Sequence, residues 1–82
     1  MKVSIYSTKT CPFCKMEKDY LTQKGIVFEN IFVDEDEKKA KEMIKKSGQM
    51  GVPVTVITRD DGEEKVVVGF DKEDLNKKLG LD

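Results

Sequence analysis

Proline is tolerated in the first turn of a helix and breaks its interior. Pro12 stands in Thr8-Lys9-Thr10-Cys11-Pro12-Phe13-Cys14, just after the alternating, β-prone run Lys2-Val3-Ser4-Ile5-Tyr6-Ser7. The position predicts a first strand over 2–7 and a helix that opens at Pro12 with Cys11 as its N-cap. A strand that feeds a helix through so short a loop is the start of a β-α-β unit. Such a unit gives parallel strands with a right-handed crossover.

The rest of the chain continues that alternation. The first helix runs to about Lys24 and stops at Gly25, with Phe13, Met16, Tyr20 and Leu21 expected as its buried stripe. Ile26 to Val33 reads as a second strand. Asp34, with Glu37 at capping-box spacing, predicts the start of a second helix. That helix carries Ala40, Met43, Ile44 and Ser47 inward and ends at Gly48. Val54–Thr58 and Lys65–Val68 are strands joined by the turn Arg59-Asp60-Asp61-Gly62, an antiparallel hairpin. Asp71 caps a short last helix, with Phe70 and Leu75 as a hydrophobic staple, Leu79 on the same stripe and Gly80 as its stop. The expected fold is α/β, in the order β-α-β-α-β-β-α. A four-stranded mixed sheet has helices on both faces.

With 82 residues there is room for one domain, spanning 1–82. The net charge of −1 offers no basic surface for nucleic acid. No apolar run approaches a membrane span, and the first residues lack the pattern of a secretion signal. The expected setting is the cytoplasm, without a membrane partner, as a monomer. Thiols there stay reduced unless they have a redox task.

Both cysteines lie in this one stretch. Two cysteines and no histidine cannot complete a zinc site, so no metal is expected. Cys11, beside Pro12 at a helix start, is poorly placed for deep burial as an inert thiol. Its sulfur would accept hydrogen bonds from the free amides of Phe13 and Cys14. Those bonds and the positive helix end both favour the thiolate, with Lys9 as a nearby positive charge. Cys14, one turn deeper, would be more buried. An exposed attacking thiolate and a buried resolving thiol are what dithiol exchange requires, so Cys11 and Cys14 are the candidate catalytic pair.

At this point the chain resembles the glutaredoxins over almost its whole length. The matching pieces are Lys9-Thr10-Cys11-Pro12-Phe13-Cys14, Ser47-Gly48-Gln49-Met50-Gly51-Val52-Pro53 and Gly69-Phe70-Asp71. The resemblance implies the thioredoxin fold and a thiol–disulfide oxidoreductase with no tightly bound cofactor. It implies a cis Val52–Pro53 bond packed against the cysteines, with Val52 main-chain groups free to pair with an extended substrate. It also implies a glutathione groove, glutathione being the co-substrate. Lys9 and Gln49 would approach a carboxylate, Phe13 would form a wall, and Asp71 with the last helix start would hold the γ-glutamyl end. Gly69 would sit in a tight turn beside the groove.

Three positions depart from the family pattern. Met50 stands where many glutaredoxins carry a basic residue, Gly51 replaces the usual Thr, and Val68-Gly69-Phe70 replaces Gly-Gly-Cys. The Gly-Phe pair is similar to redoxins that serve ribonucleotide reductase and take electrons from thioredoxin reductase. The expected partners are therefore disulfide-containing proteins and, as donor, either glutathione or thioredoxin reductase. An iron–sulfur carrier, with Cys11 of two protomers and two glutathiones holding a cluster, is a further alternative. So is a module of this fold that only binds. Glu17 follows Cys14 at i+3, where the family usually has a small apolar residue. It is expected to point to water and pair with nearby lysines; if buried, it could take the Cys14 proton.

Overall fold

The computed structural model describes residues 1–80, so the last two residues of the expected 1–82 domain lie outside the described residues. The elements are β1 (Lys2–Ser7), α1 (Pro12–Gln23), β2 (Glu29–Phe32), α2 (Glu37–Ser47), β3 (Val54–Thr58), β4 (Glu64–Val68) and α3 (Lys72–Leu79). They form one sheet in the order β2-β1-β3-β4. β1 runs parallel to β2 and antiparallel to β3, with Ile5 opposite Thr55. β3 and β4 are the predicted hairpin, with Thr55 opposite Val67. Among the described residues no helix is long and apolar enough to cross a membrane.

Strand alternation divides the core into two layers. Val3, Ile5, Ile57 and Val67 meet Leu21 of α1 and Leu75 and Leu79 of α3 on one face. Tyr6, Val54 and Val56 meet Met43 of α2 on the other. Both faces are thus covered, as expected of a sheet whose central strands are apolar on both sides. Phe70 packs against the first layer, the cluster to which Leu75 belongs.

The starts of β2 and α2 differ most from expectation, while β2 ends one residue early at Phe32 and β4 begins one residue early at Glu64. Residues 26–28 stay outside the ladder, and β2 begins at Glu29 opposite Ser4. The cause is the end of α1: Gly25 has φ 72°, and the amide of Ile26 donates to the Leu21 carbonyl at 2.9 Å. Residue 26 is still closing the helix, and the chain extends only after it. The cap of α2 is Asp36, whose carboxylate accepts from the amides of Lys38 and Lys39 at 3.1 and 3.2 Å. Asp34, the expected cap, instead accepts from the Lys9 amide at 3.3 Å and ties the loop before α1 to the loop before α2.

Two lysines brace β4 from the helices. Lys46 of α2 pairs with Glu64 at 2.8 Å. Lys78 of α3 donates to the Val66 carbonyl at 3.0 Å and to Asp74 at 3.0 Å.

Candidate active site

The sheet delivers the end of β1 to the N-terminus of α1, and there the two cysteines sit as free thiols. Cys11 is extended (φ −95°, ψ 108°), and its sulfur accepts from the Cys14 amide at 3.1 Å. Of the two amides expected to donate, Cys14 is the one that does so. Cys11 Sγ also lies 3.9 Å from the Val52 carbonyl. Cys14 is 0% exposed. Burial, and then the neighbouring Cys11 sulfur, push its thiol up to about 12. The pair is therefore unequal, with one sulfur at the rim of the helix end and one thiol beneath it.

The loop before β3 closes over this pair. The Val52–Pro53 bond is cis, and Pro53 is buried. The Gly69 amide donates to the Pro53 carbonyl at 2.8 Å. Gly69 has φ 76°, a backbone that a side chain would strain. This turn holds the corner at 69–71 beside the Pro53 loop and brings the start of α3 with it. Cys11, Cys14, Val52, Pro53 and Gly69 thus form one connected cluster. Asp71 follows as the α3 cap, accepting from the Asp74 amide at 3.1 Å. Substituting Asp71 by Ala is expected to cost ~1 kcal/mol through loss of that cap, read as a lower urea midpoint.

Two other expected contacts face their own chain. Lys9 Nζ pairs with Glu35 at 2.7 Å. The Gln49 carboxamide folds onto Gly51, donating to its carbonyl at 2.8 Å and accepting from its amide at 2.7 Å. A Cβ on residue 51 would stand 2.9 Å from Gln49 Oε1. Gly51 is what permits this closed arrangement.

The inner stripe of α1 is not the one expected. Cys14, Glu17 and Leu21 are buried, whereas Phe13 is 60% and Met16 50% exposed, and Tyr20 is half-buried against Phe70. The Cys11–Val52 contact and the packing of Leu21 orient the cysteine edge inward. Phe13 and Met16 therefore turn outward near the redox pair, and Met50 is exposed as well.

Glu17 corrects the sequence expectation outright. It is 0% exposed rather than solvated. The Thr55 hydroxyl of β3 donates to its Oε2, and among the described residues Oε1 has no hydrogen-bond partner. Burial raises its carboxyl from the ordinary 4.5 to about 7, against the opposing pull of the Thr55 hydrogen bond. The signal was present in the i, i+3, i+7 spacing of Cys14, Glu17 and Leu21, once Cys14 is taken as an inward residue. Thr55 carried no signal of its own.

Comparison with known proteins agrees with the fold. A family model described as Glutaredoxin matches residues 3–61. The chain is similar to a glutaredoxin-like 8.6 kDa protein of the Clostridium pasteurianum rubredoxin operon, 45% identical over 92% of this chain and 93% of that one. The glutaredoxin of Archaeoglobus fulgidus superposes with a TM-score of 0.82 at 31% identity, over 95% of this chain and 85% of that one. The glutaredoxin-like NrdH-redoxin of Escherichia coli, described as having a thioredoxin-like activity profile, superposes with a TM-score of 0.77. It is 27% identical over 94% of this chain and 93% of that one.

Proposed function

The chain belongs to the glutaredoxin family, and on that premise we propose that it reduces disulfides of other proteins through Cys11 and Cys14, recharged by thioredoxin reductase rather than by glutathione. The observation that carries the chemistry is the inequality of the pair: Cys11 at the α1 N-cap and Cys14 buried one turn below. Cys11 attacks the substrate disulfide and forms a mixed disulfide. Cys14 then displaces the substrate thiol, leaving the Cys11–Cys14 disulfide. Val52, beside Cys11, offers main-chain groups to an extended substrate segment as an added strand would.

The choice of donor rests on the surroundings. Glutathione is small and charged at both ends, so its recognition needs free polar groups. Lys9 is paired with Glu35, Gln49 is folded onto Gly51, and the Asp71 carboxylate caps α3. Flanking the cysteines and the Val52–Pro53 bond in sequence are three exposed large apolar side chains, Phe13, Met16 and Met50, alongside the exposed Thr10 and Lys15. Such a rim suits a protein partner more than a charged tripeptide. The likeness to a redoxin with a thioredoxin-like activity profile supports the same reading.

NADPH-coupled turnover tests it in two arms. One uses thioredoxin reductase, the other glutathione with glutathione reductase. The expected result is at least ~10-fold faster turnover in the thioredoxin reductase arm, the factor that one good binding contact contributes. Turnover confined to the glutathione arm would overturn the donor assignment. A protein whose Cys11 reacts with no disulfide would overturn the activity itself.

A further inference from the structure

A buried carboxyl with one oxygen unpaired is uncommon, since burial of a polar atom without a hydrogen bond is costly. Glu17 has this character on the buried face of α1, three residues after Cys14. We propose that Glu17 is the proton acceptor for Cys14 when that thiol resolves the mixed disulfide. The inference rests on the reading of Cys14 as the resolving thiol.

Geometry carries it. Residues at i and i+3 on one helix face stand ~5–6 Å apart at Cβ. Helical side chains lean toward the N-terminus, which tilts Glu17 over the turn that holds Cys14. A base in this position acts by direct transfer or through one bridging water. Thr55 holds Oε2, which leaves Oε1 to receive the proton.

Among the described residues, no other group in that layer can take this part. β1 contributes Ile5 and Ser7 to it, β3 Thr55 and Ile57, β4 Val67 and α3 Leu75, none of which ionises near neutrality. The Ser7 hydroxyl is committed to Asn30, and that of Tyr20 to Asn76. Lys18 lies over the Phe32 ring, Lys72 over Tyr20 and Phe70, and Asp74 pairs with Lys78. Cys14, held near 12, does not ionise unaided at neutral pH, while a carboxyl near 7 is tuned to act as a base there.

In the step, the Cys14 S–H bond breaks and its proton passes to Glu17. The Cys14 sulfur bonds to Cys11 Sγ, the bond from Cys11 to the substrate sulfur breaks, and the substrate leaves as a thiolate with the electron pair. The dithiol is oxidised by two electrons and the substrate disulfide is reduced. When a donor dithiol reopens the Cys11–Cys14 bond, the departing Cys14 thiolate recovers the proton from Glu17.

The test loads Cys11 with a chromogenic aryl thiol as a mixed disulfide and follows release of that thiol in a single turnover across pH 5–9. Native protein is expected to show release that rises through about pH 7. Glu17→Gln should slow release at neutral pH by ~100-fold, the usual worth of a positioned base, and abolish that rise. Thr55→Val, which removes the hydroxyl that favours the carboxylate, should move the midpoint up by about one pH unit. Unchanged release in Glu17→Gln at every pH, or a uniform slowing with the native pH profile retained, would overturn the proposal. So would a midpoint unmoved in Thr55→Val. The first attack, measured separately in Cys14→Ser, reads the proposed activity: its failure defeats that reading, whereas normal attack with unaltered resolution defeats only this inference.

Discussion

Replacing Glu17 by Gln is expected to raise stability relative to the native chain by an amount that grows by roughly 3 kcal/mol between pH 4.5 and pH 7. The carboxyl is buried, and its folded-state value of about 7 lies above the ordinary 4.5. Below 4.5 the group is neutral in both folded and unfolded chains, so its ionisation favours neither. Between the two values the unfolded chain ionises freely while the folded chain resists, and folding stability falls as pH rises. Above 7 the penalty is full and constant. Gln keeps the shape and cannot ionise, so it removes the slope. Urea midpoints of both proteins at pH 4.5 and pH 8 check this. An equal gap at the two pH values would show that the Glu17 site is not destabilised by charge. The outcome has a functional edge: the same substitution is expected to stabilise the fold and to slow resolution.

Cys11→Ser is expected to reduce turnover by at least ~1000-fold with any donor, because a hydroxyl replaces the thiol that makes the first attack and the catalytic unit fails as a whole. Cys14→Ser should behave differently. Cys11 keeps its N-cap position and its contact with Val52, so it still attacks a protein disulfide. With no resolving thiol the mixed disulfide accumulates, visible by mass spectrometry as a covalent adduct that dithiothreitol removes. If Cys14→Ser lost the first attack while Cys11→Ser kept it, the two roles would be reversed.

Much of this was legible in the chain because local chemistry and the global fold agree. Pro12 set the start of α1, and Gly48 and Asp71 set helix ends through backbone geometry and side-chain capping alone. β3 reads cleanly because apolar residues on both its faces leave no alternative. The errors arise where apolar residues do not go inward. Phe13 and Met16 have the look of a buried stripe, yet they face out, and the polar Glu17 goes in. Periodicity cannot distinguish an apolar core face from an apolar working face; the contact of Cys11 with the Pro53 loop decides the rotation. The α2 cap was misplaced because Asp34 and Asp36 are chemically equal candidates. Only the tertiary bond from the Lys9 amide to Asp34 separates them. Gln49 folding onto Gly51 depends on one missing Cβ, a steric fact that spacing does not reveal.

The brace that Lys78 lays on β4 bears on how these molecules meet in solution. Hydrogen-bonded pairs alternate along an antiparallel ladder. The bonds from Arg59 to Glu63 and from Gly69 to Pro53 fix which pairs they are. Val66 falls between them, so its main-chain groups face away from β3, along the open side of the sheet. Such a side is a template onto which another chain can stack, the first step toward fibres. Lys78 already occupies the Val66 carbonyl, and Glu64 at the strand start is held to Lys46. An incoming strand must evict that ammonium before it can bond to the Val66 carbonyl at the middle of the edge. Resistance to edge-wise polymerisation is thus supplied by the last helix, from a residue remote from the cysteines.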